Sequence, residues 1–69
     1  MNLVKITVVY RLGEETEVVV PSYAIPHEGD LVKVVFNGKA VSKEVDFTVF
    51  DFTKSPPEIR VFLKESDYE

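Results

Sequence analysis

The chain has 69 residues, a net charge of −4 and no cysteine. This length allows one domain, the absence of cysteine excludes disulfides and thiolate chemistry, and no apolar run reaches the roughly 18 residues that span a bilayer. Val, Ile, Thr, Phe and Tyr supply 28 of the 69 residues, which favours strands because β-branched and aromatic side chains fit a sheet surface.

The first segment alternates between apolar and polar residues, which predicts a strand over residues 2–12. A connector at Gly13-Glu14-Glu15 and a second strand over 16–20 predict a hairpin with a bulge. We expect Pro21 to end the pairing because proline has no N–H to donate. The residues of the first strand that we assign to the core share one parity: Val4, Ile6, Val8, Tyr10 and Leu12.

Residues 21–30 form an irregular stretch with two prolines and a glycine, in which one 3₁₀ turn fits. A third strand follows over 31–36, with Val32, Val34 and Phe36 expected on the inner face. Asn37-Gly38 then predicts a type I′ hairpin turn, because both of its central residues need a positive φ.

The long segment 39–52 changes parity, since Val41, Val45, Phe47 and Val49 share the face that we assign to the core whereas Phe50 and Phe52 fall on the other. This change predicts a bulge or bend near Val49. Residues 53–57 form a predicted turn, and 58–64 a fifth strand. Its expected inward residues are Ile59, Val61 and Leu63.

Five short strands in an antiparallel meander favour a closed barrel, because closure removes exposed strand edges. We therefore predict an all-β, five-stranded antiparallel SH3-like barrel over residues 1–64, followed by a polar tail over 65–69. An OB-like barrel and a small β-sandwich are the alternatives.

Around the third strand, Gly29-Asp30-Leu31-Val32-Lys33-Val34 followed by Gly38 resembles the core motif of KOW-type barrels in ribosomal and transcription proteins. The two glycines are nine residues apart here and eight in that family. The resemblance implies an SH3-like barrel associated with RNA. The pattern Pro26-x-x-Gly29-Asp30-x-Val32 also resembles short all-β proteins of bacteria and phages.

His27 is the only histidine, and with Ser22, Glu28 and Asp30 nearby it raises the hypotheses of a metal site or a catalytic triad. Both need supporting groups and a pocket that one loop rarely supplies. We favour an exposed histidine and a turn fixed by the Asp30 carboxylate. The prediction is therefore a protein that is not an enzyme and has no catalytic residue, metal or cofactor.

Several apolar residues fall on the parity opposite to the core, which predicts either a second buried layer or a surface that contacts another protein. Tyr23, in the proline-containing stretch, offers a further candidate contact. The chain has no tryptophan, which disfavours the aromatic groove that binds proline-rich peptides. The candidate partner-binding residues are Val9, Val19, Val35, Phe50, Phe52, Phe62 and Tyr23.

These features predict a protein–protein interaction module or a small accessory subunit, of the kind that phages or mobile elements carry. Its partner would be another protein or a second copy of the chain. The alternatives are an RNA- or DNA-associated barrel and an acidic mimic of nucleic acid. Basic residues are scattered singly, which disfavours phosphate binding. No signal segment precedes the first strand and no membrane contact is predicted, so we expect a cytoplasmic protein.

Overall fold

The computed structural model describes residues 2–11 and 13–64. Within them it places five strands and one short 3₁₀ helix over Ser22–Ala24, which confirms the all-β prediction. Leu12, assigned above to the core, and the predicted tail over 65–69 lie outside the described residues. The strands are β1 (Leu3–Arg11), β2 (Glu14–Pro21), β3 (Leu31–Phe36), β4 (Lys39–Asp51) and β5 (Glu58–Leu63).

The strands form one nearly closed, barrel-shaped sheet in the order β2-β1-β5-β4-β3. Three of the pairs are antiparallel, whereas β1 and β5 run parallel, with Ile6 opposite Ile59 and Val9 opposite Phe62. The sheet is therefore mixed rather than wholly antiparallel, because the chain crosses the barrel after β4 and returns β5 beside β1. An SH3-like topology stays a prediction.

The core consists of inward residues from four of the strands. Ile6, Val8, Val45 and Val61 are almost fully buried, and half-buried valines of β2 and β3 pack around them. This arrangement confirms the alternation predicted for β1, β3 and β5. Val9 is also buried, at 9% exposure, although it lies on the opposite parity.

The predicted bulge in β4 exists, but it lies at Asp46 and not near Val49. Val45 is opposite Leu63 and Phe47 is opposite Phe62, so Asp46 is an extra residue on β4. The side chains beyond it are shifted by one position, which leaves Phe47 and Val49 exposed. The prediction that both face the core was therefore wrong.

One turn and one strand end lie where the sequence places them. Asn37 and Gly38 have φ values of 52° and 79°, as a type I′ turn between β3 and β4 requires. Pro21 is the last residue of β2 and lies opposite Leu3. β2 therefore ends at the expected residue, but not for the expected reason. The Ser22 N–H still donates to the Asn2 C=O, and the backbone groups of Pro21 face away from β1, so its missing N–H ends no pairing there.

The loop between β2 and β3 lies along the edge of β4. The Val45 N–H donates to the Asp30 C=O at 2.8 Å, and the Gly29 N–H donates to the Val45 C=O at 3.1 Å. Further along, the Thr48 hydroxyl donates to the Pro26 C=O at 2.7 Å. These bonds cover the part of β4 that extends beyond its pairing with β3.

Candidate functional site

The seven candidate residues lie at separate places on the barrel. Val9 belongs to a buried layer, one of the two alternatives that the sequence left open. Val19 and Val35 are exposed on β2 and β3, and Tyr23 is 80% exposed in the 3₁₀ helix. Phe62 is half-buried against Phe47. Val9 and Phe62 line a concave site of about 390 Å³, and Phe50 and Phe52 line a larger one.

That site is a groove of about 610 Å³ at the end of the barrel where β1 and β5 begin. Phe50 and Phe52 form one wall, with ring centroids 6.4 Å apart and nearly parallel planes. The N-terminal residues of β1 form the other wall, and the segment leading into β5 lies between the two. The apolar residues that line the groove are Leu3, Val4, Phe50, Phe52, Pro56, Pro57 and Ile59.

The groove exists because β1 is longer than the strand beside it. β1 pairs with β2 from Leu3 onward, whereas its pairing with β5 begins only at Ile6 opposite Ile59. Pro56 and Pro57 precede β5, and proline has no N–H with which to extend the ladder. The space that an earlier start of β5 would fill is therefore left open.

The charged groups around the groove occur in pairs of opposite sign. Lys5 lies 3.8 Å from Glu17 on one side, and the Lys54 ammonium lies 2.7 Å from the Glu58 carboxylate on the other. The hydrogen bond and the charge of Glu58 raise the pKa of Lys54 above its usual value. The rim therefore carries two cations and two anions that neutralise each other.

Asp51 fixes the turn that carries Phe52. Its carboxylate accepts hydrogen bonds from the Thr53 hydroxyl at 2.5 Å and from the Thr53 N–H at 2.9 Å. Both hydrogen bonds lower the pKa of the Asp51 carboxyl, and the bond from the Thr53 hydroxyl has the larger effect. The ion pair of Lys54 with Glu58 spans the rest of the same turn.

The other off-parity aromatic, Phe62, belongs to a covered face. Its ring stacks on Phe47 with centroids 4.7 Å apart, and the Arg60 guanidinium lies 5.7 Å from the centre of its ring. Arg60 is held there by Glu15 at 3.0 Å. Together with buried Val9, these groups form a second layer that is only partly buried, since Phe47 is exposed.

The loop around His27 has the structural role that we favoured. The His27 N–H donates to the Asp30 carboxylate at 2.9 Å, and the Asp30 N–H donates to the His27 C=O at 3.0 Å. Gly29 has a φ of 90° within this turn. In residues 2–11 and 13–64, no three His, Asp or Glu side chains converge as metal ligands would.

Sequence reasoning missed three residues of the groove and one charged residue of the interior. Leu3 has the same parity as Val9, opposite to the core, so the sequence could have identified it as a candidate contact residue. Pro56 and Pro57 indicated only a turn. Lys43 has the same parity as Val41 and Val45, but its charge concealed its inward position. It is 3% exposed, with its ammonium 4.9 Å from the centre of the Tyr10 ring.

Comparison of the chain with models of protein families, with curated proteins and with solved structures finds no match. The KOW resemblance stays a prediction. No helix in the described part of the chain has the length and apolarity needed to cross a membrane.

Proposed function

We propose that this chain is a non-enzymatic all-β protein that works by binding another protein in the groove between Phe52 and the start of β1. One observation carries the proposal: large apolar side chains are gathered in a concave site although they are exposed. Phe52 is 76% exposed and Leu3 is 62% exposed, and they lie on opposite walls. A small accessory subunit in the cytoplasm, of phage or mobile-element type, fits this function.

Burial of these side chains by a partner would be energetically favourable. Covering one exposed phenylalanine or leucine contributes about 1.5–3 kcal/mol. The barrel has other exposed apolar residues, such as Tyr23 and Val35, but these do not line the groove. Concave sites with apolar walls bind more strongly than scattered residues, because one ligand group contacts several side chains at once.

The charge arrangement supports a protein partner over the two nucleic-acid alternatives. Five basic side chains are engaged by glutamates, which reduces the positive potential that a phosphate backbone would need. The same pairs neutralise Glu14, Glu15 and Glu17, the acidic run on which mimicry of nucleic acid would depend. The pairs are Lys5–Glu17, Arg11–Glu14, Lys54–Glu58, Arg60–Glu15 and Lys64–Glu44.

The experiment is capture of binding proteins by two variants that are matched in exposure. Phe52→Ser removes a ring from the groove, whereas Tyr23→Ser removes an equally exposed ring elsewhere. With a photo-crosslinker introduced at Ser55, we expect Phe52→Ser to lose the protein that the unmodified chain and Tyr23→Ser both retain. Equal retention by the two variants, or capture of nucleic acid alone, would contradict the proposal.

A further inference from the structure

We infer that the groove binds an extended, uncharged peptide segment as an added strand beside Leu3–Lys5; this inference rests on the proposed function. The occupant is a segment with apolar side chains at alternate positions. Three properties of the site support this choice: an unpaired part of a strand, an opening of the size of one strand, and a neutral rim.

The unpaired part of the strand follows from the hydrogen-bond pattern of β1. The Ser22 N–H donates to the Asn2 C=O at 3.0 Å, so Asn2 and every second residue after it direct their backbone groups toward β2. Leu3 and Lys5 therefore direct theirs to the other side. The parallel pair of Ile6 with Ile59 uses the Lys5 C=O, so in the part of the chain that the structure describes the ladder with β5 stops at that group. The Leu3 N–H, the Leu3 C=O and the Lys5 N–H lie beyond it.

The opening has the width of one strand because it continues the line of β5. Ile59 of β5 lies between Phe50 of β4 on one side and Ile6 of β1 on the other. β4 ends at Asp51, opposite Glu58, so beyond this point the opening is bounded by β1 on one side and by the turn that carries Phe52 on the other. A strand added beside β1 would lie about 4.8 Å from it. A segment of three or four residues spans about 10–13 Å, which is the length needed to lie along Leu3–Lys5.

The charge of the rim selects the chemistry of the segment. Lys5 and Lys54 are neutralised by Glu17 and Glu58, so the groove presents no net charge to a ligand. The charged side chains of an acidic or basic segment would lose hydration on binding, and the groove has no unpaired charge of opposite sign to compensate. An uncharged segment would instead place apolar side chains against Phe50, Phe52 and Pro57, while its backbone groups pair with those of Leu3 and with the Lys5 N–H.

The test uses a capped pentapeptide with valine at its second and fourth positions and serine elsewhere. Titration into the ¹⁵N-labelled protein should shift the amide signals of Leu3, Lys5 and Phe52 and slow hydrogen exchange at Lys5. Two peptides are then compared, each N-methylated at one of two adjacent residues. Only alternate residues direct their N–H toward β1, so one methyl group should weaken binding roughly two- to tenfold and the other should leave it unchanged.

Three controls make the result decisive. Replacing both peptide valines by glutamate or by lysine should abolish the shifts. Tyr23→Ser, which lies outside the groove, should bind as the unmodified chain does, whereas Lys5→Pro, which removes the N–H, should bind more weakly. Where Lys5→Pro does not fold, the N-methyl series decides. The inference is overturned when N-methylation has no effect at either position, or when the shifts lie on β2 and β3 instead.

The outcomes also separate this inference from the proposed function. If Phe52→Ser loses the captured protein but peptide N-methylation has no effect, the groove is a protein-binding site and the added-strand inference is wrong. Retention of the captured protein in Phe52→Ser removes the proposed function itself.

Discussion

Phe47 and Phe62 lie opposite each other on β4 and β5, and their rings stack with centroids 4.7 Å apart on the outer face of the barrel. This contact depends on the bulge at Asp46, which turns Phe47 from the inner face to the outer one. The two rings line a concave part of this face together with buried Val9, although Phe47 itself is 48% exposed.

This layer predicts a difference between Phe62 and Phe52, two of the phenylalanines on the parity opposite to the core. Phe62→Ser should lower the free energy of unfolding by about 2 kcal/mol, because it removes half-buried apolar area and the stacking on Phe47. Phe52→Ser should change it by less than about 0.5 kcal/mol, since that ring is exposed. Urea denaturation followed by circular dichroism measures both. Equal effects would show that the layer does not stabilise the fold.

The turn between β3 and β4 should tolerate changes at its first position better than at its second. Gly38→Val should destabilise the protein by about 1–2 kcal/mol, because a β-branched side chain is strained at a φ of 79°. Asn37→Gly should stay within about 0.5 kcal/mol of the original, since glycine adopts a positive φ freely. Thermal unfolding checks the pair, and a stable Gly38→Val variant would argue against the type I′ geometry.

Lys43 should stabilise the barrel through its hydrocarbon stem more than through its charge. Lys43→Met keeps an unbranched side chain against Tyr10, whereas Lys43→Ala leaves a cavity. We expect the alanine variant to lose about 2 kcal/mol of unfolding free energy and the methionine variant clearly less, because a buried cation also loses hydration. The same urea series measures both, and a methionine variant as unstable as the alanine variant would contradict this expectation.

Asp51 should titrate below the ordinary value of 3.8 for an aspartate. A carboxyl whose pKa is lowered by folding stabilises the folded state above its unfolded pKa, and this contribution is lost as the pH falls through the folded pKa. Thr53→Val should move the pKa of Asp51 up toward the ordinary value, whereas Thr53→Ser, which keeps the hydroxyl, should not. Carboxyl ¹³C shifts followed from pH 6 to pH 2, a range of about four units around the value for a free aspartate, measure this. An unchanged pKa in Thr53→Val would show that the hydroxyl bond is unimportant.

The local features of the fold could be predicted from the sequence because each depends on neighbouring residues. The Asn37-Gly38 turn, the end of β2 at Pro21 and the alternation of β1 are of this kind. The position of the bulge was missed because Phe47, Val49 and Phe50 are all apolar, so polarity does not mark where the inner face changes. The parallel pairing of β1 with β5 is a long-range relationship that no local pattern encodes.

The candidate site could be predicted only in part, for the same reason. Phe50 and Phe52 were identified by their parity, which is a local property. The groove also needs Leu3 from the start of the chain and Pro57 from the far side of the turn, and only the closed sheet brings these together. Val9 and Phe62 have the same parity signal but are covered by their neighbours.

The parallel pair of β1 and β5 also affects synthesis of the protein. Val61, which has no exposed surface, comes from the last strand and packs on Ile6 and Val8 from the first. On a ribosome, β1 and β2 can form their hairpin early, but the interior stays incomplete until β5 has left the exit tunnel. Folding of this domain is therefore completed only when β5 is free of the tunnel, and until then the nascent hairpin exposes apolar surface to chaperones.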